Sequence, residues 1–153
     1  MAKNKYIWNQ STSASANARE QLPKLLQEYF KYGRELMQSS SAPAAMHRFR
    51  LETKALRYTL ELFRPCYGPG LERLLASLRK LQDCLGELND CAATQRMLAA
   101  RLPKQAPARL RMDQLLKGRI KRKSAELKRY WWETFDRPDE ETRLVGYLSR
   151  PAS

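Results

Sequence analysis

The sequence predicts an all-α fold, a bundle of long helices running up and down, and three observations lead there. Leucines and aromatics recur at three- and four-residue spacings over most of the chain, the signature of amphipathic helices. The 153 residues hold one Val and two Ile, too few for the alternating β-branched runs that build sheets. Pro, Gly and Ser cluster between the periodic runs, where connections belong. At 42% hydrophobic residues the chain can bury one core but not two.

Residues 1–14 are polar and Ser-rich and are expected to form a flexible N-terminal arm, with Tyr6 and Trp8 candidates for docking on the body. The helical domain is expected over 15–150. Leu22, Leu25, Leu26, Tyr29, Phe30, Tyr32 and Leu36 place helix one over about residues 16–38. The string SSSAPAA at 39–45 supplies candidate N-caps and a proline suited to a first helical turn, so helix two starts there and runs to about Phe63. Pro65, Gly68, Pro69 and Gly70 break it. Helix three, from Leu71 to about Leu102, carries Leu74, Leu75, Leu78, Leu81, Leu85, Leu88 and Leu98 and stops before Pro103. Helix four is expected from about Ala108 to Phe135, with a stripe of Leu116, Ile120, Leu127, Trp131 and Phe135, followed by a short helical turn near Glu140–Leu148.

Twenty-nine Lys and Arg against 16 Asp and Glu give a net charge of +13, which favours partners such as nucleic acid, anionic lipid or a polyphosphate-like chain. Cys84 and Cys91, seven residues apart on one helix, would stand about 10 Å apart, too far for a disulfide, and three cysteines suit a reducing cytoplasm. No stretch approaches the roughly 20 apolar residues of a membrane span, and the N-terminus lacks the apolar run of a secretory signal. A soluble cytoplasmic protein is the expectation. A single His, no paired ligand spacing and no Walker-type glycine loop argue against a metal centre, a cofactor or an enzyme.

Helix two carries the informative constellation: His47, Arg50, Lys54, Arg57 and Tyr58, with Glu61 following. At about 100° per residue these side chains share a sector of roughly 100°. Phe49, Thr53, Leu56, Leu60 and Phe63 fall opposite, and Leu51, Ala55 and Leu62 form a second apolar flank, so the helix is expected to bury two sides and present the basic third. From His47 to Arg57 the row extends about 15 Å, enough to meet consecutive phosphates of an extended chain. Arg offers flat bidentate donors, Lys a mobile point charge and His a proton-dependent donor. Such a face is often merely solvated, yet here Glu61 is the one carboxylate in the sector.

Helix four repeats the pattern. Between Arg101 and Tyr130 there are eleven Lys or Arg against Asp113 and Glu126, and Arg119, Arg122, Lys123, Glu126, Arg129 and Tyr130 share a sector. The two basic faces are expected to line one groove, while Lys117, Lys121 and Lys128 point elsewhere, toward solvent. Trp131, Trp132 and Phe135 could stack on bases, although aromatics at helical spacing more often belong to a core.

The stretches MHRFRLETKALRYTLELF, residues 46–63, and LRKLQDCLGELNDCAATQRML, residues 78–98, resemble the CHAD family, the conserved-histidine α-helical domains, in which a His is followed by Arg, then Lys or Arg, then Arg. The resemblance implies an all-helical domain that binds inorganic polyphosphate along a basic channel. By motif it implies His47, Arg50, Lys54 and Arg57 as phosphate ligands, with Arg79 and Lys80 in the second motif, Gly86 permitting close helix approach and Asp90 orienting a cation or forming an ordinary salt bridge. Typical members carry two copies of the helical repeat and this chain has one, resembling the second. A homodimer that rebuilds the two-fold arrangement is therefore expected. Inorganic polyphosphate is the expected partner, granule association a corollary, and nucleic-acid backbone binding the alternative.

Overall fold

The computed structural model describes residues 7–39 and 42–150, and all of its regular elements are helical. α1 spans Ala14–Gln38, α2 Pro43–Leu62, α3 Gly70–Arg101, α4 Pro107–Tyr130 and α5 Glu140–Leu148, with a 3-10 turn at Arg64–Cys66 and a π turn at Trp131–Phe135. The all-α expectation holds, and each expected helix is present within a few residues of its expected limits.

Local chemistry sets the ends. Ser13 caps α1, its Oγ accepting the Ala16 N–H at 3.1 Å. Pro43 and Pro107 open α2 and α4, where a missing N–H costs nothing. The last helical residue of α3 is Arg101, two before Pro103. Helix four differs from its expected form: it is α-helical only to Tyr130 and then widens into a π turn, closed by a 2.7 Å bond from the Asp136 N–H to the Trp131 carbonyl. The wide turn delivers the Asp136 carboxylate to Arg34, which binds it through Nε and a terminal nitrogen, both at 2.7 Å, and also meets Glu141 at 2.6 Å. This three-way pair ties α1 to the start of α5.

The core draws on all five helices, with Leu144 and Leu148 of α5 buried in it. Leu22, Leu26 and Phe30 of α1, Phe49 and Leu60 of α2, Leu71, Leu75, Leu78, Leu81 and Leu85 of α3, and Leu127 and Trp131 are all fully buried. Trp131 sits at its centre, with Phe30, Phe49, Phe135 and Tyr29 rings at centroid distances of 4.9–6.0 Å. Trp131 and Phe135 are thus core residues, and Trp132 is the partly exposed one. The Tyr29 hydroxyl donates to Thr53 Oγ1 at 2.8 Å, since Thr53 itself donates to the Phe49 carbonyl, and burial pushes the phenol well above its usual range.

The segment expected as a loose arm is held in part. Trp8 stacks on Phe63 at 5.2 Å, and the Asn17 side chain bonds both the N–H and the carbonyl of Asn9, at 2.7 and 2.9 Å. Tyr6 lies outside the described residues.

One side of the bundle is uneven. His47 of α2 faces Asn89 of α3, so α2 begins opposite about Ala93 and the last eight residues of α3, about 12 Å, run past it. The buried residues of α3 stop at Ala92, and those of α4 are Leu116 and Leu127. Beyond them the α3–α4 hairpin projects as an arm on which Met97, Leu110, Met112 and Leu115 are exposed. None of the described helices is long and apolar enough to cross a membrane.

Candidate functional site

α2 and α3 pack antiparallel, and the basic row lies along their seam. His47 Nδ1 meets Asn89 Oδ1 at 2.8 Å. An amide oxygen only accepts, so Nδ1 is the donor of this bond, and Nε2 can donate to an anion only in the imidazolium form. One turn along, Arg50 lies over Gly86, close enough that a methyl group there would be 3.8 Å from its Nε. Two turns further, Arg57 Nε donates to Gln82 Oε1 at 3.0 Å. Glu61 then receives Arg57 at 2.6 Å and Arg79 at 3.3 Å on the same oxygen. The partners on α3 therefore step through Asn89, Gly86, Gln82 and Arg79, at three- and four-residue intervals that trace one ridge of the helix. The adjoining Leu78, Leu81, Leu85 and Leu88 turn into the core, which is why the second motif alternates leucine with polar or small residues.

This geometry decides how much charge stays available. His47 and Arg57 are each oriented by a neutral amide, and Arg57 is in addition paired with Glu61. Arg50 Nε is buried and has no hydrogen-bond acceptor, a condition that costs about 1–3 kcal/mol. Among the described residues Glu61 is the single carboxylate paired with the row. The Tyr58 ring faces both Lys54 and Arg57, with Lys54 Nζ at 5.5 Å and the Arg57 guanidinium carbon at 4.5 Å from its centroid. Tyr58 thus holds both cations at one ring.

The second row does not join the first. Lys123 pairs with Glu87 at 2.8 Å and Glu126 at 3.2 Å, and this holds the Glu87 carboxyl below its usual range, with Arg119 and Lys80 adding to the effect. These contacts fix the α4 row on the other flank of α3, so α3 itself separates the two basic faces expected to share one groove. Asp83 and Asp90 lie on the intervening ridge by their spacing. Arg119 and Arg122 are exposed, and Lys123, half-buried, is an inter-helix bridge. Of the expected site residues, His47, Arg50, Lys54, Arg57, Tyr58 and Arg79 come together; Lys80, Arg119 and Lys123 gather around Glu87, and Arg122 is exposed on α4.

Three further expectations change. Leu51 and Leu62 are 46% and 76% exposed and Ala55 is exposed too, so α2 buries one side, not two. Gly86 is not needed for a close helix approach, because a methyl group there makes ordinary contact. Among the described residues Asp90 has no ion-pair partner within 4.0 Å; its carbonyl accepts from Thr94. Gln82 and Asn89 are the positioning residues that sequence reading missed, and their signal was the polar spacing between leucines. Among the described residues no group of three or more His, Cys, Asp or Glu is placed to hold a metal ion, and the three cysteines are unpaired.

An all-helical bundle with a basic row along the α2–α3 seam defines the class as an all-α helical domain. The CHAD domain family model matches residues 4–99, and the chain belongs to that family. The match takes in α1, α2 and nearly all of α3 and ends before α4, so Arg119, Arg122 and Lys123 lie outside it. No curated protein and no solved structure matches the chain.

Proposed function

We propose that this protein binds inorganic polyphosphate along the α2–α3 seam and acts as a non-catalytic polyanion-binding domain. The observation that carries the reading is the partner chemistry of the row. His47, Arg50 and Arg57 face Asn89, Gly86 and Gln82 on α3, neutral groups that position the row, and among the described residues Glu61 is the carboxylate that opposes its charge. A row about 15 Å long suits a narrow polymer with closely spaced phosphates. The association of CHAD domains with polyphosphate supports the same assignment.

Binding of this kind rests on counterion release and charge-assisted hydrogen bonds. If six phosphates are neutralised, log affinity falls against log salt with a slope of about 4, from the single-strand rule of about 0.7 per contact. Calorimetric titration with polyphosphates of several lengths, with single-stranded and duplex DNA at matched salt, tests ligand and site together. Wild type is expected to prefer polyphosphate, and the Arg50→Ala/Lys54→Ala/Arg57→Ala variant to lose that binding. Equal or tighter DNA binding would instead favour the nucleic-acid reading, and unchanged affinity in the triple variant would remove the seam from the site.

A second copy presenting the same row would rebuild a two-sided channel in a chain with one repeat. Light scattering with and without polyphosphate tests this, with a doubled mass expected and a monomeric mass in both conditions counting against it. A cytoplasmic location with polyphosphate granules is part of the same proposal.

A further inference from the structure

Beyond His47 the seam opens into a cleft of about 750 Å³ where α2 ends and the longer α3 continues. Its walls come from three helices: the first residues of α2, Asn89 to Ala99 of α3, and Arg109 to Lys117 of α4. Four cationic or protonatable side chains line it, His47, Arg96, Arg109 and Lys117, with Asp113 as the one acid. Lys117, which spacing alone assigned to open solvent, therefore borders a concave site.

The cations here are arranged differently from the row. Arg109 is held by its bond to the Leu102 carbonyl at 3.0 Å and is ion-paired with Asp113 at 3.6 Å, too far for a hydrogen bond, so its buried Nε has no acceptor. Among the described residues Arg96 and Lys117 have no ion-pair partner within 4.0 Å. The α2 N-terminus adds the positive end of a 20-residue helix with no side-chain cap, since Ala42 offers no acceptor. Donors thus converge from several directions, where the seam offers them along one line.

That difference matches a chemical difference along a polyphosphate. An internal phosphate spends two oxygens on bridges and carries one charge. A terminal phosphate has three free oxygens and about −1.5 to −2 charge near neutral pH. We infer that the cleft binds a terminal phosphate, so that the polymer is held by its end in the cleft and by its interior along the α2–α3 seam. The inference rests on the polyphosphate reading for the interior contacts. The same terminal group is also offered by short free oligophosphates.

The test uses the full chain and calorimetry with three probes: medium-length polyphosphate with free ends, the same polymer with both ends blocked as phosphoramidates, and tripolyphosphate. Wild type should bind the free-ended polymer about tenfold more tightly than the blocked one, the loss of roughly one charge-assisted bond. Arg96→Ala/Lys117→Ala, at exposed positions where folding is safe, should bind both polymers equally, near the wild-type affinity for the blocked form. Arg50→Ala/Arg57→Ala should weaken both polymers while sparing tripolyphosphate. Equal binding of the two polymers by wild type overturns the inference and leaves the seam intact. Binding of tripolyphosphate alone, lost in Arg96→Ala/Lys117→Ala, overturns the polyphosphate reading and supports a terminal-phosphate cleft for short ligands. Tripolyphosphate binding that survives Arg96→Ala/Lys117→Ala also overturns the cleft.

Discussion

Gly33→Ala is the sharpest test of how the bundle is assembled. In an isolated helix the change would help, since alanine is preferred over glycine by about 1 kcal/mol in a helix interior. Here a Cβ at position 33 would stand 2.1 Å from Trp131 Cη2, 2.5 Å from Cζ2 and 2.8 Å from Cζ3. Carbon atoms rest at about 3.5–4.0 Å, so the nearest contact is short by about 1.5 Å. The indole is fully buried and cannot rotate away without displacing the Phe30, Phe49 and Phe135 rings. Overpacking of this kind costs about 1–3 kcal/mol or more, and with rigid ring atoms on the receiving side the upper end applies. After the propensity gain the net loss is about 2 kcal/mol, a fall in Tm of about 4–8 °C for a chain of this size. Urea denaturation should show a lower midpoint at unchanged slope. Trp131→Phe in the same chain should recover part of the loss, seen as coupling in a double-mutant cycle. Gly118→Ala on α4, where nothing lies within 4 Å of the added carbon, serves as the opposite control and should gain up to about 1 kcal/mol. A Gly33→Ala protein as stable as wild type would refute this account of the α1–Trp131 contact.

Other outcomes follow from single contacts. Glu61→Gln removes the carboxylate that Arg57 and Arg79 share and should tighten polyphosphate binding several-fold in titrations at low salt; weaker binding would mean that Glu61 orients the row more than it opposes it. Gly86→Ala should raise stability by up to about 1 kcal/mol in thermal melts and leave polyphosphate affinity unchanged, because the added methyl only touches Arg50 Nε. Glu52 is pushed above the usual carboxylate range by burial, with Glu28 adding repulsion, so its contribution to stability is present below the unfolded carboxylate range and lost as pH rises through its folded value. Glu52→Gln should therefore stabilise at pH 7, by no more than about 0.5 kcal/mol given its exposure, and the gain should vanish near pH 4. A gain that persists in acid would point to a cause other than charge.

The helices were legible because their leucines repeat with helical spacing and because prolines and glycines mark the gaps. The π turn was not, since Trp131 and Phe135 stand four residues apart and read as an unbroken α-helix; only Arg34, 102 residues away from Asp136, explains where that turn leads. The α2 row was legible for the same reason as the core, being its complement on one helix wheel. Its separation from the α4 row was not, because a wheel gives directions within a helix and says nothing of which neighbour stands between. Lys123 illustrates the difference: its sector was read correctly, and its engagement with Glu87 depends on the packing of α3 against α4. The cleft escaped notice because it arises from unequal helix lengths, a property of the assembly and not of any motif.

The projecting end of the α3–α4 hairpin carries a kinetic consequence. Past Ala92 these two helices lean on each other with few apolar side chains shut away, so their backbone amides should exchange with solvent deuterium sooner than those of α3 between Leu71 and Leu88, opening as a local unit before the rest unfolds. Arg109 and Lys117 ride on that labile end. A phosphate chain gripping them would slow the exchange there first, and the tip would stiffen as it is occupied.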